Sequence, residues 1–322
     1  MRKPLDLQAF GLMLIVCASL GLQQVALKAT TGDVSPVLLI AMRSGIAAVL
    51  VGLYMLALRL RSGMRLRFDA GDGNWKPGLL VGFLFTLEYL LLGEALRLTS
   101  AAHAVVFLYT APVFAALILH VMVPAERMSP RQWVGILMAF AGVVAAFLGQ
   151  RTGSDRAVAD MLAGDLLALF AGAAWGLTTV VVRGSRLSRV PATQTLLYQL
   201  AAACLLLLLA AVLLDQMTFR PTAMVLANLG FQSVVVSFLA FLIWFWLLRR
   251  YVASRLGVLS FMTPLFGVLF GVWLLDEPME PGFVVGAMLV LAGMTVVSTT
   301  GRPGWTGLAI RAGRARRHRP RG

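Results

Sequence analysis

Long apolar runs separated by short polar connections are the main pattern of this chain. Ten of these runs approach the roughly 20 residues that an α-helix needs to cross a bilayer. They cover about residues 8–28, 35–58, 77–97, 101–123, 130–149, 161–182, 192–214, 224–248, 255–275 and 281–299. The pattern therefore predicts an all-α polytopic membrane protein with ten transmembrane helices.

The composition supports a membrane protein. Hydrophobic residues make up 59% of the 322 residues and charged residues 13%, against about 45–50% and about 25% in soluble globular proteins. Cys17 and Cys204 both lie inside apolar runs, which is typical of small buried hydrophobic residues. The sequence therefore predicts neither a disulfide framework nor a metal site.

The distribution of basic residues predicts the orientation. Of the 28 Lys and Arg residues, 22 fall in segments that share one side with the N-terminus and five fall on the other side. This asymmetry predicts that both termini are cytoplasmic. The segment 301–322 forms a basic tail, and we expect it to contact anionic membrane lipid rather than nucleic acid. The remaining basic residue, Arg43, lies within the second apolar run.

The chain also matches itself. Residues 126–143 align without gaps on residues 277–294, with seven identities in eighteen positions. The match divides the chain into a first repeat at 1–150, a second at 160–300 and the tail at 301–322. Five helices per repeat is an odd number, so the second copy enters the membrane from the opposite side. Inverted repeats around a central cavity are typical of alternating-access carriers.

Several matched residues resemble the EamA-type drug/metabolite transporters. Each half has a proline within its fourth helix, an acidic residue that closes this helix and a fifth helix with two spaced glycines. These are Pro112, Glu126, Gly135 and Gly142 in the first half, and Pro264, Glu277, Gly286 and Gly293 in the second. The resemblance implies a ten-helix carrier of the bacterial inner membrane, most often an exporter of amino acids or other small metabolites.

The first two helices of each half extend the resemblance. The Trp-Gly pair of the family is present as Trp175-Gly176, whereas the first half has Leu20-Gly21. The second-helix arginine of the family corresponds to Arg43, and its counterpart in the second half is Gln199.

Ionisable residues deep in a membrane are costly, so they should face a cavity or a partner. A helical rise of about 1.5 Å per residue puts Arg43, Glu88 and Tyr109 at similar depths, roughly 10–13 Å below one surface. Arg43 forms a structural ion pair with Glu88, or it holds a substrate carboxylate with its guanidinium. In the second case Glu88 would take the substrate's amino group or a proton. The two roles are compatible if the pair opens when substrate arrives. Glu94 is instead predicted to pair with Arg97, three residues later.

Further polar and aromatic residues are candidates for the cavity lining. They are Gln23, Gln24, Tyr109, Trp175, Tyr198, Gln199, Gln232 and Trp244. Of these, Tyr109, Trp175, Gln199 and Gln232 are predicted, together with Arg43 and Glu88, to bind the substrate. Pro112 and Pro264 each remove a helical hydrogen bond, which predicts a hinge or a kink that only improves packing. His103 is expected to be hydrated near the outer surface. Glu277 is expected to favour the start of the helix that follows it.

The sequence thus predicts a secondary carrier for a small, zwitterionic substrate, with a proton as one possible coupling ion. It has no phosphate-binding loop for ATP, no zinc-protease or serine-hydrolase motif and no predicted cofactor, so we do not expect an enzyme. Two alternatives stay open: a broad exporter of lipophilic drugs, and a membrane scaffold or sensor without transport.

Overall fold

The computed structural model describes residues 6–62, 74–122, 128–148, 155–251, 259–279 and 281–299, and these ranges are almost entirely helical. Their α-helices are α1 (Leu7–Ala29), α2 (Pro36–Ser62), α3 (Trp75–Leu98), α4 (Ala101–Leu108), α5 (Ala111–Met122), α6 (Pro130–Leu148), α7 (Asp155–Gly184), α8 (Ala192–Leu213), α9 (Ala223–Gly230), α10 (Phe241–Arg250), α11 (Met262–Leu275) and α12 (Pro281–Thr299). A 3₁₀ turn covers Arg186–Arg189, and a π-helical segment (Phe231–Ala240) joins α9 to α10.

Seven helical stretches within the described ranges are long and apolar enough to cross a membrane. They are Leu7–Ala29, Pro36–Arg61, Trp75–Leu98, Ala101–Met122, Ala157–Gly184, Ala192–Leu213 and Ala223–Trp244. Shorter apolar helices cover Pro130–Ala146, Met262–Leu275 and Pro281–Val296. The predicted polytopic, all-helical membrane protein is therefore confirmed, while the count of ten crossings stays a prediction. Glu126 and the basic tail 301–322 lie outside the described residues.

Local sequence signals set the helix ends. Asp6, Ser100 and Thr222 are N-caps whose side chains accept hydrogen bonds from backbone N–H groups in the first turns of α1, α4 and α9, as short polar residues do at this position. Proline begins α2, α6 and α12, where its missing N–H costs no helical hydrogen bond. At the other end of α11, Asp276 adopts a left-handed conformation with φ of 50° and terminates the helix.

The fourth apolar stretch is interrupted where α4 ends and α5 begins, at Tyr109 and Thr110. Pro112 follows two residues later and has no N–H to donate to the carbonyl four residues earlier, so the hydrogen-bond ladder is broken there. The equivalent Pro264 lies two residues after the start of α11, and this helix begins directly after a turn at Phe261. Both prolines therefore follow a helix break, and their role as hinges stays a prediction.

Helices α6 and α12 pack closely through four glycines. A Cβ atom added to Gly142 would lie 2.5 Å from the carbonyl oxygen of Gly286, and one added to Gly135 would lie 2.8 Å from that of Gly293. Small residues at these positions let the two backbones approach. Because residue numbers rise along α6 as they fall along α12, the two helices run antiparallel.

Gly21 of α1 and Gly176 of α7 make equivalent contacts, each with the proline-containing helix of the other half. The three atoms nearest to an added Cβ are a carbonyl oxygen, a phenylalanine Cβ and an amide nitrogen. They belong to Thr263, Phe266 and Gly267 around Gly21, and to Ala111, Phe114 and Ala115 around Gly176. The retained glycine of Leu20-Gly21 therefore packs as its counterpart does, although the tryptophan is missing.

Candidate functional site

Arg43 occupies the interior of the helical bundle. Its side chain projects from α2 and is 2% exposed. The Nη1 group donates a hydrogen bond of 2.5 Å to Oε1 of Gln232, and the guanidinium carbon lies 4.5 Å from the centre of the Tyr89 ring. A hydrogen-bonded amide and an aromatic face both stabilise a buried cation. Arg43 therefore links α2 to the π-helical segment and to α3.

Gln232 and Tyr89 are connected in turn through α1. The Gln232 Nε2 group donates to the backbone carbonyl of Gln23 at 2.9 Å, and Gln23 Nε2 donates to the Tyr89 hydroxyl at 3.3 Å. Through these contacts and the Gln23 backbone carbonyl the four residues form a closed circuit, which we call the Arg43 cluster (Gln23, Arg43, Tyr89 and Gln232). Gln232 lies in a π-helical segment, a distortion that frequently marks functional positions.

Glu88 lies beside this cluster but does not neutralise Arg43 by direct contact. Its side chain is buried and is close enough to Arg43 for electrostatic interaction. Within the described part of the chain, however, no ion pair joins the two residues, because Arg43 uses Gln232 and Tyr89 instead. The alternative of a structural Arg43–Glu88 ion pair is therefore wrong for this conformation.

Three polar atoms at this level lack a hydrogen-bond partner among the described residues. They are Nε of Arg43, Oε2 of Glu88 and Oε1 of Gln24, all of them buried. A buried polar group without a partner costs about 1–3 kcal/mol, and more when it is charged. The interior therefore holds one spare donor on a cation and spare acceptors on a carboxylate and an amide.

Tyr109 and Trp175 meet close to Glu88. Their rings are in edge-to-face contact with centroids 5.2 Å apart. The Tyr109 hydroxyl is close enough to Glu88 and Cys17 for electrostatic interaction. Tyr109 is placed by the α4–α5 break, and Trp175 by the close approach of α7 to that break at Gly176.

Five of the six predicted substrate-binding residues thus lie in one region. They are Arg43, Glu88, Tyr109, Trp175 and Gln232. The sixth, Gln199, is half-buried on α8 and forms no hydrogen bond with any residue that the structure describes. Sequence analysis missed Tyr89, although its position next to Glu88 puts it at the same depth.

Among the described residues, no group of three or more His, Cys, Asp or Glu side chains is suited to bind a metal ion.

A second polar region lies where α1 and α3 end and α4 begins, and we call it the Lys28 end of the bundle. Lys28 Nζ donates to the carbonyl oxygens of Leu96 and Thr99 at 2.6 and 2.8 Å. Glu277 accepts from the N–H groups of Ala101 and Ala102 at 2.6 and 2.9 Å. Glu277 therefore favours the start of α4, not that of the following helix as predicted, because the fold brings the end of α11 beside α4.

His103 is buried at the Lys28 end rather than hydrated as predicted. Its Nδ1 lies 2.9 Å from Oδ2 of Asp165, and the other oxygen of Asp165 accepts a 2.6 Å hydrogen bond from the Thr99 hydroxyl. The Glu94–Arg97 pair is confirmed at 2.8 Å. Glu94 also accepts from Gln216 at 2.6 Å.

Comparison with known proteins identifies the family. The model of the EamA-like transporter family matches residues 8–148 and again residues 162–299. The chain belongs to the EamA-like transporter family. One solved crystal structure has the same fold, with a TM-score of 0.63 and 22% identity over 95% of this chain and 98% of that chain.

Similar proteins are named as transporters. An uncharacterized transporter YoaV of Bacillus subtilis is 22% identical over 85% of this chain and 91% of that protein. A probable amino-acid metabolite efflux pump of Salmonella typhimurium is 25% identical over 68% and 75% of the two chains. An aromatic amino acid exporter YddG of Ancylobacter novellus is 26% identical over 71% and 76%. These matches support a transport role in a membrane and do not support an enzyme.

Proposed function

We propose that this EamA-like protein is a secondary active transporter that exports a small zwitterionic metabolite, of the amino-acid class, by alternating access. Membership of the family supports transport, and the names of two relatives favour amino acids or their metabolites as the class. The substrate region of this proposal consists of Arg43, Glu88, Tyr89, Tyr109, Trp175 and Gln232.

The buried hydrogen-bonding groups that have no described partner support an amino acid as the substrate class. Arg43 has a buried N–H without a described partner, and Glu88 has a buried carboxylate oxygen without one. An amino acid carries a carboxylate that suits a guanidinium and an ammonium that suits a carboxylate. The substrate would thus satisfy both groups, and the Tyr109 and Trp175 rings offer its side chain an apolar surface.

Burial of the same residues supports alternating access. Arg43 is 2%, Glu88 5%, Tyr109 6% and Gln232 0% exposed. A solute reaches these groups only if helices move, and the circuit of contacts must open because Gln232 and Arg43 belong to different halves. The helix breaks before Pro112 and Pro264 are the expected positions of that movement.

Ten membrane-spanning helices in two inverted repeats are part of the proposal. The family model matches the chain twice, α6 and α12 run antiparallel, and Gly21 and Gly176 have equivalent neighbours in opposite halves. We place the protein in the inner membrane with both termini in the cytoplasm, since basic residues prefer that side. The Lys28 end then faces outward.

Counterflow in proteoliposomes tests the proposal. Vesicles containing the full-length protein are loaded with a pool of amino acids and small metabolites, and exchange with the external solution is followed by mass spectrometry. Selective exchange of one zwitterionic class supports the proposal. Exchange of lipophilic cations alone would favour a drug exporter, and the absence of any exchange by folded protein would favour a scaffold. Repeating the assay with and without a pH gradient tests a proton as coupling ion.

A further inference from the structure

Gln24 of α1 has a buried amide oxygen that no described residue satisfies. The side chain is 3% exposed, and its Oε1 has no hydrogen-bond partner in the part of the chain that the structure describes. The neighbouring Gln23 instead belongs to the Arg43 cluster and donates to the Tyr89 hydroxyl. A buried acceptor without a partner destabilises the folded protein, so folding alone does not account for a glutamine at this position.

The position of Gln24 in the bundle follows from the residues on the same face of α1. Cys17, Gly21, Gln24 and Lys28 recur at intervals of three or four residues and therefore share one face. At one end of this face, Cys17 is close enough to Tyr109 for electrostatic interaction. At the other end, Lys28 binds two backbone carbonyls where α3 ends. The helical rise puts Gln24 about 6 Å from Lys28 along the axis, so Gln24 lies between the substrate region and the Lys28 end.

Three helices converge beside this position. A Cβ added to Gly21, one turn before Gln24, would lie 2.8 Å from the backbone nitrogen of Gly267 in α11. One added to Gly267 would lie 2.6 Å from the Val105 side chain in α4. Neither Gly267 nor Val105 has a side-chain donor. The amide oxygen of Gln24 is thus available to a donor that a bound solute brings.

The ammonium group of an amino acid needs such an acceptor. A primary ammonium has three N–H donors, and Glu88 offers one carboxylate oxygen without a described partner. The donors that Glu88 leaves unsatisfied would be costly in a buried site. Gln24 Oε1 supplies a second acceptor, whereas Arg43 has donors only.

The other buried acceptors of this kind are placed differently. Asn74 directly precedes α3, at the end of that helix away from the Lys28 end. Asn228 lies beside Thr30, which follows α1, and donates to its hydroxyl. The Thr263 hydroxyl interacts with the Tyr109 side chain. The first two therefore lie near the ends of the bundle, and the third faces Tyr109.

We propose that Gln24 is a further substrate-binding residue, whose amide oxygen accepts a hydrogen bond from the ammonium group and so selects solutes that carry a primary amine. This rests on the proposed function, because it adds a determinant of specificity to the same site. The substrate carboxylate is held by Arg43, and its ammonium group is held by Glu88 and Gln24 together.

Ligand binding to the full-length protein in lipid nanodiscs tests this role. The probes are the standard amino acids and, for each one that binds, the carboxylic acid that lacks its amino group. Gln24→Met keeps the length of the side chain but removes the acceptor, and Gln24→Glu keeps an acceptor oxygen. Gln8→Met is the matched control, because Gln8 is an exposed amide of the same helix. Titration calorimetry gives the dissociation constants.

We expect Gln24→Met to bind the amino acid about tenfold more weakly, as the loss of one hydrogen bond to a charged group predicts. It should bind the acid without the amino group as the wild type does. Gln24→Glu should retain the binding of the amino acid, and Gln8→Met should match the wild type. Unaltered binding of the amino acid by Gln24→Met overturns the proposal, and so does equal weakening of both ligands.

A purely structural role of Gln24 is tested without ligand. Because Oε1 has no described partner, the thermal unfolding midpoint of Gln24→Met should equal or exceed that of the wild type. A lower midpoint, or a variant that does not fold, would show that the amide stabilises the bundle and would overturn the proposal.

The same titrations separate this proposal from the proposed function. If the folded wild-type protein binds no amino acid, the proposed substrate class and the role of Gln24 are both rejected. If the wild type binds amino acids and Gln24→Met binds them equally well, the role of Gln24 alone is rejected.

Discussion

Arg43 Nη1 and Gln232 Oε1 lie 2.5 Å apart, although 189 residues separate them in the chain. Arg43 belongs to the first match of the family model and Gln232 to the second. The bond therefore connects the two halves at the level where the substrate is proposed to bind. Its strength should influence both the stability of this conformation and the rate of exchange.

Removing the acceptor from this bond should destabilise the protein. In Gln232→Leu the buried guanidinium loses its only described hydrogen-bond partner, which costs about 1–3 kcal/mol. Thermal unfolding in detergent, followed by tryptophan fluorescence, should show a lower midpoint. Gln199→Leu is the matched control, because Gln199 forms no hydrogen bond with a described residue. Equal midpoints for the two variants would argue against a structural role of the bond.

The close packing of α6 and α12 predicts that one added methyl group at their contact lowers the stability of the protein substantially. In Gly142→Ala the new Cβ would lie 2.5 Å from the Gly286 carbonyl oxygen, so the helices must separate at a cost of about 1–3 kcal/mol. Gly52→Ala in α2 is the control, since its Cβ would meet nothing within 4 Å. We expect the unfolding midpoint to fall in Gly142→Ala and to stay the same or rise in Gly52→Ala. A midpoint unchanged in both would contradict the observed approach.

The acceptor at the start of α4 should protect that helix from opening. Glu277→Gln keeps one carbonyl oxygen but removes the charge, and we expect a loss of about 1–2 kcal/mol. Hydrogen–deuterium exchange should become faster at the amides of Ala101 and Ala102. The exposed neighbour Asp276 supplies the control variant Asp276→Asn. Faster exchange in the control alone would show that the contact has no such role.

The helix break before Pro112 predicts an effect on transport rate rather than on affinity. Pro112→Ala restores an N–H donor, so α4 and α5 can join and the expected hinge stiffens. Initial exchange rates should fall severalfold while the half-saturating substrate concentration stays close to that of the wild type. Pro281→Ala, at the first position of α12, removes a proline without restoring a helical bond and should leave the rate unchanged. An unaltered rate in Pro112→Ala would assign the proline to packing.

The proximity of Arg43, Glu88 and Tyr109 could be predicted from sequence, but rotation about the helix axis could not. The helical rise predicts that Arg43, Glu88 and Tyr109 lie at one level, and the structure places all three in one buried region. Whether Arg43 turns toward Glu88 or toward Gln232 depends on how α2 packs against the π-helical segment. That distortion has no clear sequence signal, so the ion-pair alternative could not be excluded beforehand.

Contacts between helices that are far apart in the sequence also could not be predicted, as the Lys28 end shows. His103 and Asp165 lie 62 residues apart on helices α4 and α7, and neither residue is unusual in its own segment. Their contact follows from the close approach of α7 to α3 and α4, where a Cβ added to Gly164 would lie 2.8 Å from the backbone nitrogen of Thr99. The glycine is visible in the sequence, but its partner is not. Exposure of His103 was therefore predicted wrongly.

Counterflow with Arg43→Lys tests the central claim most directly. Lysine keeps the positive charge but lacks the planar guanidinium and its Nε–H group, so selective exchange of the zwitterionic substrate should be lost. Arg97→Lys, on the half-exposed pair with Glu94, is the matched control and should exchange like the wild type. If folded Arg43→Lys exchanges the same substrate at the wild-type rate, Arg43 does not bind it and the proposed site is wrong.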